Sequence, residues 1–477
     1  MGQLETLERA RATLRAVLSS RSIPLFALGV IIVSIPQLIL TPPFQVPDAF
    51  VHYLKAQALA EGHLFPSIIH HGAGSMMPSS VAAFVNLFAT IPFHPTTHLS
   101  SIALDRASSL SWNAPPLFTT YTSASFDPPF LYLPTVFGLL LGSLLHLHLL
   151  QTYYLAEVIM LLVATALLTL AYSLMPSRGR PLVAALALLP MATSLYPSVS
   201  RDALIMPLTL LAIASRLHWA PAIVEGRIRS REYWYTALAL LPIAMTKPPY
   251  WLLIPLLYIP FEELKARPAL LYKPVLLPAA SSLVLVGIWY GAVAHSLSVT
   301  FVSTAGISAI GQLQWLGAHP FEAIFVVYHT IMADKTFYYE SAIGILGWLD
   351  TPLPHWVYPV FGFIICLTVA PLLASLTRSL DTWSPFLVAT VFGTLLFLGV
   401  EVALYATWTP VGAPIVQGVQ GRYLLPILPL LGLLARNSEG DGRLPALLGC
   451  LAVSAVAFEV VLSLVVVPAT LITRFWV

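Results

Sequence analysis

The chain has little charge for its length: Asp, Glu, Lys and Arg make up 9% of its 477 residues, against 58% hydrophobic ones. Soluble domains carry about a quarter charged residues, so this composition excludes an ordinary soluble protein and reads as a polytopic membrane protein. Cysteine is nearly absent. Cys366 and Cys450 both lie in apolar runs, which excludes a disulfide framework and a thiolate metal site and reads as two small core residues. No Gly-rich phosphate loop occurs, which argues against a nucleotide-driven transporter. Internal repeats, heptads and low-complexity tracts are missing as well. The net charge of +2 names no partner, and no nucleic acid is expected.

What is present is a series of apolar runs broken by Pro, Gly and charge. Candidate spans lie near 23–41, 153–175, 182–199, 202–219, 233–247, 249–261, 273–294, 356–376, 386–408, 422–435 and 444–468, about eleven in all. The Arg-bearing stretch "MGQLETLERARATLRAVLSS" precedes the first run, and no small-residue cleavage site follows it. Residues 1–22 therefore read as a cytosolic amphipathic helix, and 23–477 as one transmembrane domain whose first span is retained.

Residues 128–149, "PPFLYLPTVFGLLLGSLLHLHL", are apolar enough to cross, and the positive-inside rule arbitrates. If they cross, "SRGR" (177–180) and "GRIRSRE" (226–232) fall outside. If they lie on or dip into the outer surface, 16 of the 23 Lys and Arg become cytosolic, including those of "KARPALLYK" (265–273). The second topology is preferred, with the N-terminus inside. It leaves two long outer segments, 42–152 and 295–355, rich in aromatics, His, Ser and Thr, which would roof a cavity.

Several ionisable groups then gather at outer helix ends, where they are costly unless paired or facing water. "QVPDAFVHY" puts Asp48 and His52 one turn apart after the first span. "SVSRDAL" places Arg201 and Asp202, "MTKPPY" places Lys247 and Tyr250, "GILGWLDTPLPHW" places Asp350, and "QGVQGRYLLP" places Gln420 and Arg422. Such a set suits a lipid phosphate meeting a water-soluble partner. Lys and Arg hold the phosphate charge while the lipid tail stays between helices. A carboxylate takes a proton from an attacking hydroxyl, and the cations stabilise the departing phosphate.

These motifs, with "PDAFVHYLKAQALAEG", "FDPPFLYLPTVFGLLLG" and "LLPMATSLYPSVSRDAL", resemble a bacterial family of predicted integral-membrane proteins catalogued as a domain of unknown function. The resemblance runs from about residue 25 to 435. More distantly, the layout is similar to GT-C glycosyltransferases such as lipid A aminoarabinose transferases and protein O-mannosyltransferases. That likeness implies a catalytic base at Asp48, a surface helix at Pro128-Pro129, a second outer acid at Asp202 and a donor-phosphate contact at Lys247. Asp350, Gln420 and Arg422 match the first family's own motifs, which carry no established role. Two departures stand out: Ala49 replaces the second acid of an Asp-Glu pair, which weakens a metal site, and Glu157 replaces an expected Arg.

Each residue also has a plain structural alternative. Asp48 follows Pro47 as a helix N-cap would, and His52 at i+4 pairs with it locally as readily as it contacts substrate. Lys247 snorkels to the interface; Arg422 bonds loop carbonyls; Arg201 and Asp202 pair with each other. Asp127, before two prolines, reads as a turn residue. His70, His71, His94 and His98 have no metal-ligand spacing. Tyr250, Trp251, Trp348, Trp356 and Trp408 fit an interfacial belt, with sugar stacking as the other option.

The fold expected is an all-α, GT-C-like polytopic membrane protein with an outer-face cavity. The function expected is transfer of a sugar from a polyprenyl-phosphate donor to a hydroxyl of a glycan or lipid at the periplasmic face of a bacterial inner membrane. Asp48 and His52 would be catalytic. Lys247, Arg422, Gln420, Arg201, Asp202, Asp350 and Tyr250 would bind substrate. No cofactor is expected, with a divalent metal not favoured. The alternatives are a flippase or transporter of lipid-linked glycans, a polymerase or ligase using diphosphate-linked donors, and a scaffold with a degenerate site. The enzymatic reading requires that Asp48 and the later cations share one void wide enough for a phosphosugar.

Overall fold

The computed structural model describes residues 2–70, 72–224, 230–254, 276–296, 306–374, 380–437 and 443–477. The basic stretch 265–273 and most of the expected span 249–261 lie outside the described residues.

The protein is mostly helical. Helix α1 runs unbroken from Gly2 to Leu40, with no break at the expected boundary near residue 22. It is followed by α2 (Ala49–Ala60), α3 (Ser79–Asn86), α4 (Ser101–Ser109), α5 (Leu133–Leu144), α6 (Leu149–Leu174), α7 (Arg180–Ala187) and α8 (Pro190–Leu195). Then come α9 (Asp202–Val224), α10 (Ser230–Thr246), α11 (Leu276–Ala292), α12 (Ala309–Ala318) and α13 (Pro320–Ile343). The last three are α14 (Val357–Ala374), α15 (Leu380–Thr407) and α16 (Arg443–Phe475).

Among the described residues, five helical stretches are long and apolar enough to cross a membrane: Arg21–Leu40, Leu149–Leu174, Val357–Ala374, Pro385–Thr407 and Ala446–Phe475. Helix α6 shows why such a run forms. Its 26 residues contain neither Pro nor Gly, Gln151 Oε1 accepts the His148 N–H at its start, and it stops just before Pro176.

The remaining expected spans differ in form. The 182–199 run divides at Pro190 into α7 and α8, which are buried almost throughout. The 422–435 run, punctuated by Pro426 and Pro429, is wound as 3-10 turns at Gly421–Leu424 and Leu428–Asn437. Helices α9, α10 and α11 occupy the places expected for spans at 202–219, 233–247 and 273–294.

Residues 128–149 hold a 3-10 turn at Pro129–Tyr132 and the twelve-residue α5. At 1.5 Å per residue α5 is about 18 Å long, well short of a bilayer's roughly 30 Å hydrocarbon core. It packs tightly on α6, because a Cβ at Gly138 would overlap the Ala156 backbone.

The segment 42–152 is a folded unit rather than an open loop. It holds α2, α3, α4 and an antiparallel sheet in which β2 (Gly72–Pro78) pairs with both β1 (Ser67–Ile69) and β3 (Pro116–Thr120). A two-stranded turn, β4 (Ile345–Leu346) with β5 (Thr351–Pro352), precedes α14. These few short strands sit in an otherwise helical protein, which is consistent with the all-α expectation. The cysteines correct one expectation: Cys366 and Cys450 are exposed on α14 and α16, facing away from the protein core.

Candidate functional site

Four distant pieces of chain meet at the start of α2. The first is the Pro47-Asp48 turn. Asp48 occupies the N-cap position with φ +60, a left-handed conformation unusual for a residue with a side chain, and makes no side-chain cap bond. Its carboxylate is thus not used for capping. The second is the Ser200–Asp202 turn that opens α9. The third is Lys247, just beyond the last residue of α10.

The fourth is the Gln-Gly-Arg-Tyr motif. Gly421 lies so close to the last turn of α13 that a Cβ there would overlap backbone atoms of Tyr338 and Ala342. Its N–H donates to Ser341 Oγ at 2.8 Å. The Tyr250 hydroxyl donates to the Tyr423 carbonyl at 3.1 Å. Both contacts fix the backbone on either side of Arg422.

Arg422 then reaches across the chain. Its Nη2 donates to Asp48 Oδ2 at 2.5 Å, its Nη1 to the Pro47 carbonyl at 3.3 Å, and its Nε to Gln420 Oε1 at 2.6 Å. Nη1 also lies 3.4 Å from Asp202 Oδ2. Lys247 Nζ sits 2.9 Å from the other oxygen of Asp202 and 4.6 Å from the centre of the Tyr423 ring.

Arg201 does not pair closely with its neighbour. Its Nε is 3.9 Å from Asp202, while its Nη1 bonds Asp127. Asp127 Oδ2 accepts the Tyr132 hydroxyl at 2.7 Å, and the same hydroxyl oxygen meets His52 Nδ1 at 2.6 Å. Tyr132 has one proton and gives it to Asp127, so this network assigns His52 as the Nδ1–H donor. The result is a continuous polar chain from His52 through Tyr132, Asp127, Arg201, Asp202 and Arg422 to Asp48.

Burial sets the behaviour of its members. The His52 ring is buried, and that burial, with Arg201 nearby, pushes it down to about 3, so it is neutral at physiological pH. Burial pushes Lys247 down to about 8, against the pull of Asp202. Burial raises the Asp48 carboxyl, but the charge and hydrogen bond of Arg422 outweigh it and the group lies below the usual carboxylate range. The Asp48 side chain is 47% exposed, against 2% for Arg422 and 9% for Asp202, so it is the member of this trio open to solvent.

Asp48, Lys247, Arg422, Gln420, Arg201, Asp202 and Tyr250 therefore come together. His52 joins them through Tyr132, and its ring hydrogen bond runs to that hydroxyl instead of the local Asp48 partner considered from sequence. Asp350 belongs elsewhere. Its Oδ1 accepts from Trp348 N–H at 3.0 Å and Thr351 Oγ1 at 3.1 Å, and its Oδ2 from Phe93 N–H at 2.8 Å and Arg474 at 3.1 Å. Those four bonds tie three segments together and leave no oxygen for a substrate. Trp348 is committed too, stacking on Phe50 and donating to the Phe44 carbonyl. Glu157 is buried on α6 beside Tyr153. Among the described residues no three His, Cys, Asp or Glu group as metal ligands would, and His71 lies outside them.

Sequence reading missed three residues. Asp127 is fully buried rather than a surface turn residue, and Tyr132 is its partner. Lys55, seven residues after Asp48 on α2, is fully buried, donates to the Leu64 and Ser125 carbonyls at 3.3 and 3.4 Å, and lies over the Tyr121 ring. Burial pushes it down to about 8. The available signal was the spacing of Asp48, His52 and Lys55, which puts all three on one helix face.

A small cavity opens beside the cluster. Asp202, Lys247, Tyr250 and Arg422 line it together with the apolar Leu195, Met206 and Leu425. Its volume is ≈ 10 Å³, room for about one water molecule. Asp48 reaches this cluster through Arg422 but does not line the void, which is also narrower than the phosphosugar the enzymatic reading requires. No curated protein and no solved structure matches the chain. The protein is membrane-embedded and belongs to the predicted membrane protein family DUF2142, whose model matches residues 28–431.

Proposed function

We propose that the protein is a membrane glycosyltransferase that moves a sugar from a polyprenyl-phosphate carrier to a hydroxyl of a glycan or lipid acceptor, at the periplasmic face of a bacterial inner membrane. The observation that carries this reading is the convergence of Asp48, Lys247 and Arg422, drawn from three distant parts of the chain, on one charged cluster in which Lys247 and Arg422 line a small cavity together with aliphatic side chains. The cations suit a phosphate, and the aliphatic side chains in the same lining suit the first units of an isoprenoid tail.

In the proposed reaction the acceptor hydroxyl attacks the anomeric carbon as the carbon–oxygen bond to the lipid phosphate breaks, inverting the centre. The hydroxyl proton passes to Asp48. That carboxylate is suited to the task, because it is ionised, half-exposed and turned away from capping its helix. Negative charge growing on the departing phosphate is met by Lys247 and Arg422. Tyr132, Asp127 and Arg201 hold the scaffold in register.

The test is to supply the purified full-length protein in proteoliposomes with polyprenyl-phosphate sugars and a candidate glycan acceptor, and to follow the lipid donor by thin-layer chromatography. Acceptor-dependent loss of sugar from the lipid phosphate is expected. Movement of intact donor across the bilayer without acceptor would instead favour a flippase, and consumption of diphosphate-linked donors alone a polymerase or ligase.

A further inference from the structure

The cluster is balanced in charge. Arg201, Lys247 and Arg422 face Asp48, Asp127 and Asp202, and His52 is neutral. An incoming phosphate would therefore enter a buried site with no spare positive charge, through a void that holds about one water.

Asp202 occupies the position that resolves this. One carboxylate oxygen is 2.9 Å from Lys247 and the other 3.4 Å from Arg422. Two oxygens of a phosphate bridging the same cations would present the same charge in the same place. A second position for the carboxylate is already at hand. Among the described residues Arg201 Nε is buried without a hydrogen-bond partner and lies 3.9 Å from Asp202 Oδ1, too far for a hydrogen bond but within reach of a side-chain rotation.

We infer that Asp202 is a resident stand-in for the ligand's phosphate, which holds Lys247 and Arg422 at clamping distance and swings to Arg201 when a lipid phosphate takes its seat. The inference rests on the phosphate-binding reading above and adds its regulation. With Asp202 in this seat the two cations are neutralised and the cavity has room for about one water. Asp202 competes with every anion, so only a ligand that also contacts the apolar lining gains enough to displace it. Free inorganic phosphate has no tail to offer and is excluded.

The experiment measures binding of a short isoprenyl monophosphate, the matching isoprenyl alcohol and inorganic phosphate to the full-length protein in detergent, by tryptophan fluorescence. Asp202→Asn removes the competing charge while keeping the side-chain shape. It is expected to bind the isoprenyl phosphate about tenfold tighter than wild type, a modest share of what removing a like charge yields. The variant should also begin to bind inorganic phosphate, while alcohol binding stays the same.

Arg201→Gln, which removes the second seat, is expected to weaken isoprenyl-phosphate binding about fivefold or more, and it serves if Asp202→Asn does not fold. Unchanged or weaker phosphate binding by Asp202→Asn, with saturable binding by wild type, would overturn the stand-in while leaving the phosphate site intact. Equal binding of phosphate and alcohol by wild type and both variants would remove the phosphate site itself.

Discussion

Two acid–base contacts sit within reach of the α1–α2 turn, one buried and one half-exposed, and they differ in how completely they are used. Asp350 receives four hydrogen bonds, from Trp348, Thr351, Phe93 and Arg474, and Arg474 donates in addition to the Thr97 and Ile91 carbonyls. This contact joins the first long segment, the β4–β5 turn and the end of α16. Among the described residues, Asp48 receives a single side-chain bond, from Arg422, and is half-exposed. Arg422 in turn touches Asp202, at the edge of a cavity. A saturated carboxylate is a fastener. One that keeps an open face and a positive-φ backbone has capacity left for chemistry.

The sharpest way to break that contrast is Arg422→Gln. It strands Asp48 and Asp202 without their shared cation, and removing one partner of a buried pair costs about 3–5 kcal/mol. Activity should fall by at least about a hundredfold in the folded fraction, read as the donor-consumption rate beside a thermal unfolding midpoint in detergent. Asp350→Ala should cost about 3 kcal/mol of stability and leave the rate per folded molecule close to wild type. A large rate loss at unchanged stability would make Asp350 part of the site and erase the distinction.

Gly421→Ala probes how the cation is placed. The added Cβ would meet the end of α13, so overpacking of about 1–3 kcal/mol is expected, with donor binding weakened more than the maximal rate. Saturation kinetics would show it.

A further effect concerns pH. Unfolded His52 takes a proton below its ordinary value of about 6.5, whereas the folded ring resists until about 3. Stability is therefore complete above 6.5 and declines as the pH falls through that window, because the unfolded state binds the proton first. His52→Gln should flatten the fall of the unfolding midpoint between pH 6.5 and 4, and an unaltered slope would mean the ring is not held neutral.

The long apolar runs were legible because composition alone makes them helices: α6, α14 and the apolar parts of α1, α15 and α16 stand where the sequence put them. The runs at 182–199 and 422–435 misled, since prolines inside them break helical hydrogen bonding while the apolar residues remain. Asp48, Asp202, Lys247 and Arg422 were visible as ionisable groups at helix ends, where each needs a reason. Their partners were not. Asp48 and Arg422 are 374 positions apart, and no local pattern encodes such a contact. Asp127 was hidden because an acid before two prolines looks like a solvent turn, and Lys55 because a lysine on a short helix looks like an exposed one.

The central claim is that Asp48 takes the acceptor's proton at a site whose cations hold the lipid phosphate. The most direct measurement compares wild type with Asp48→Asn in a single assay that reads both donor binding and sugar transfer from a labelled polyprenyl-phosphate sugar. The variant is expected to fold, bind donor, and transfer at least about a hundredfold more slowly. Transfer by Asp48→Asn at the wild-type rate would contradict the claim.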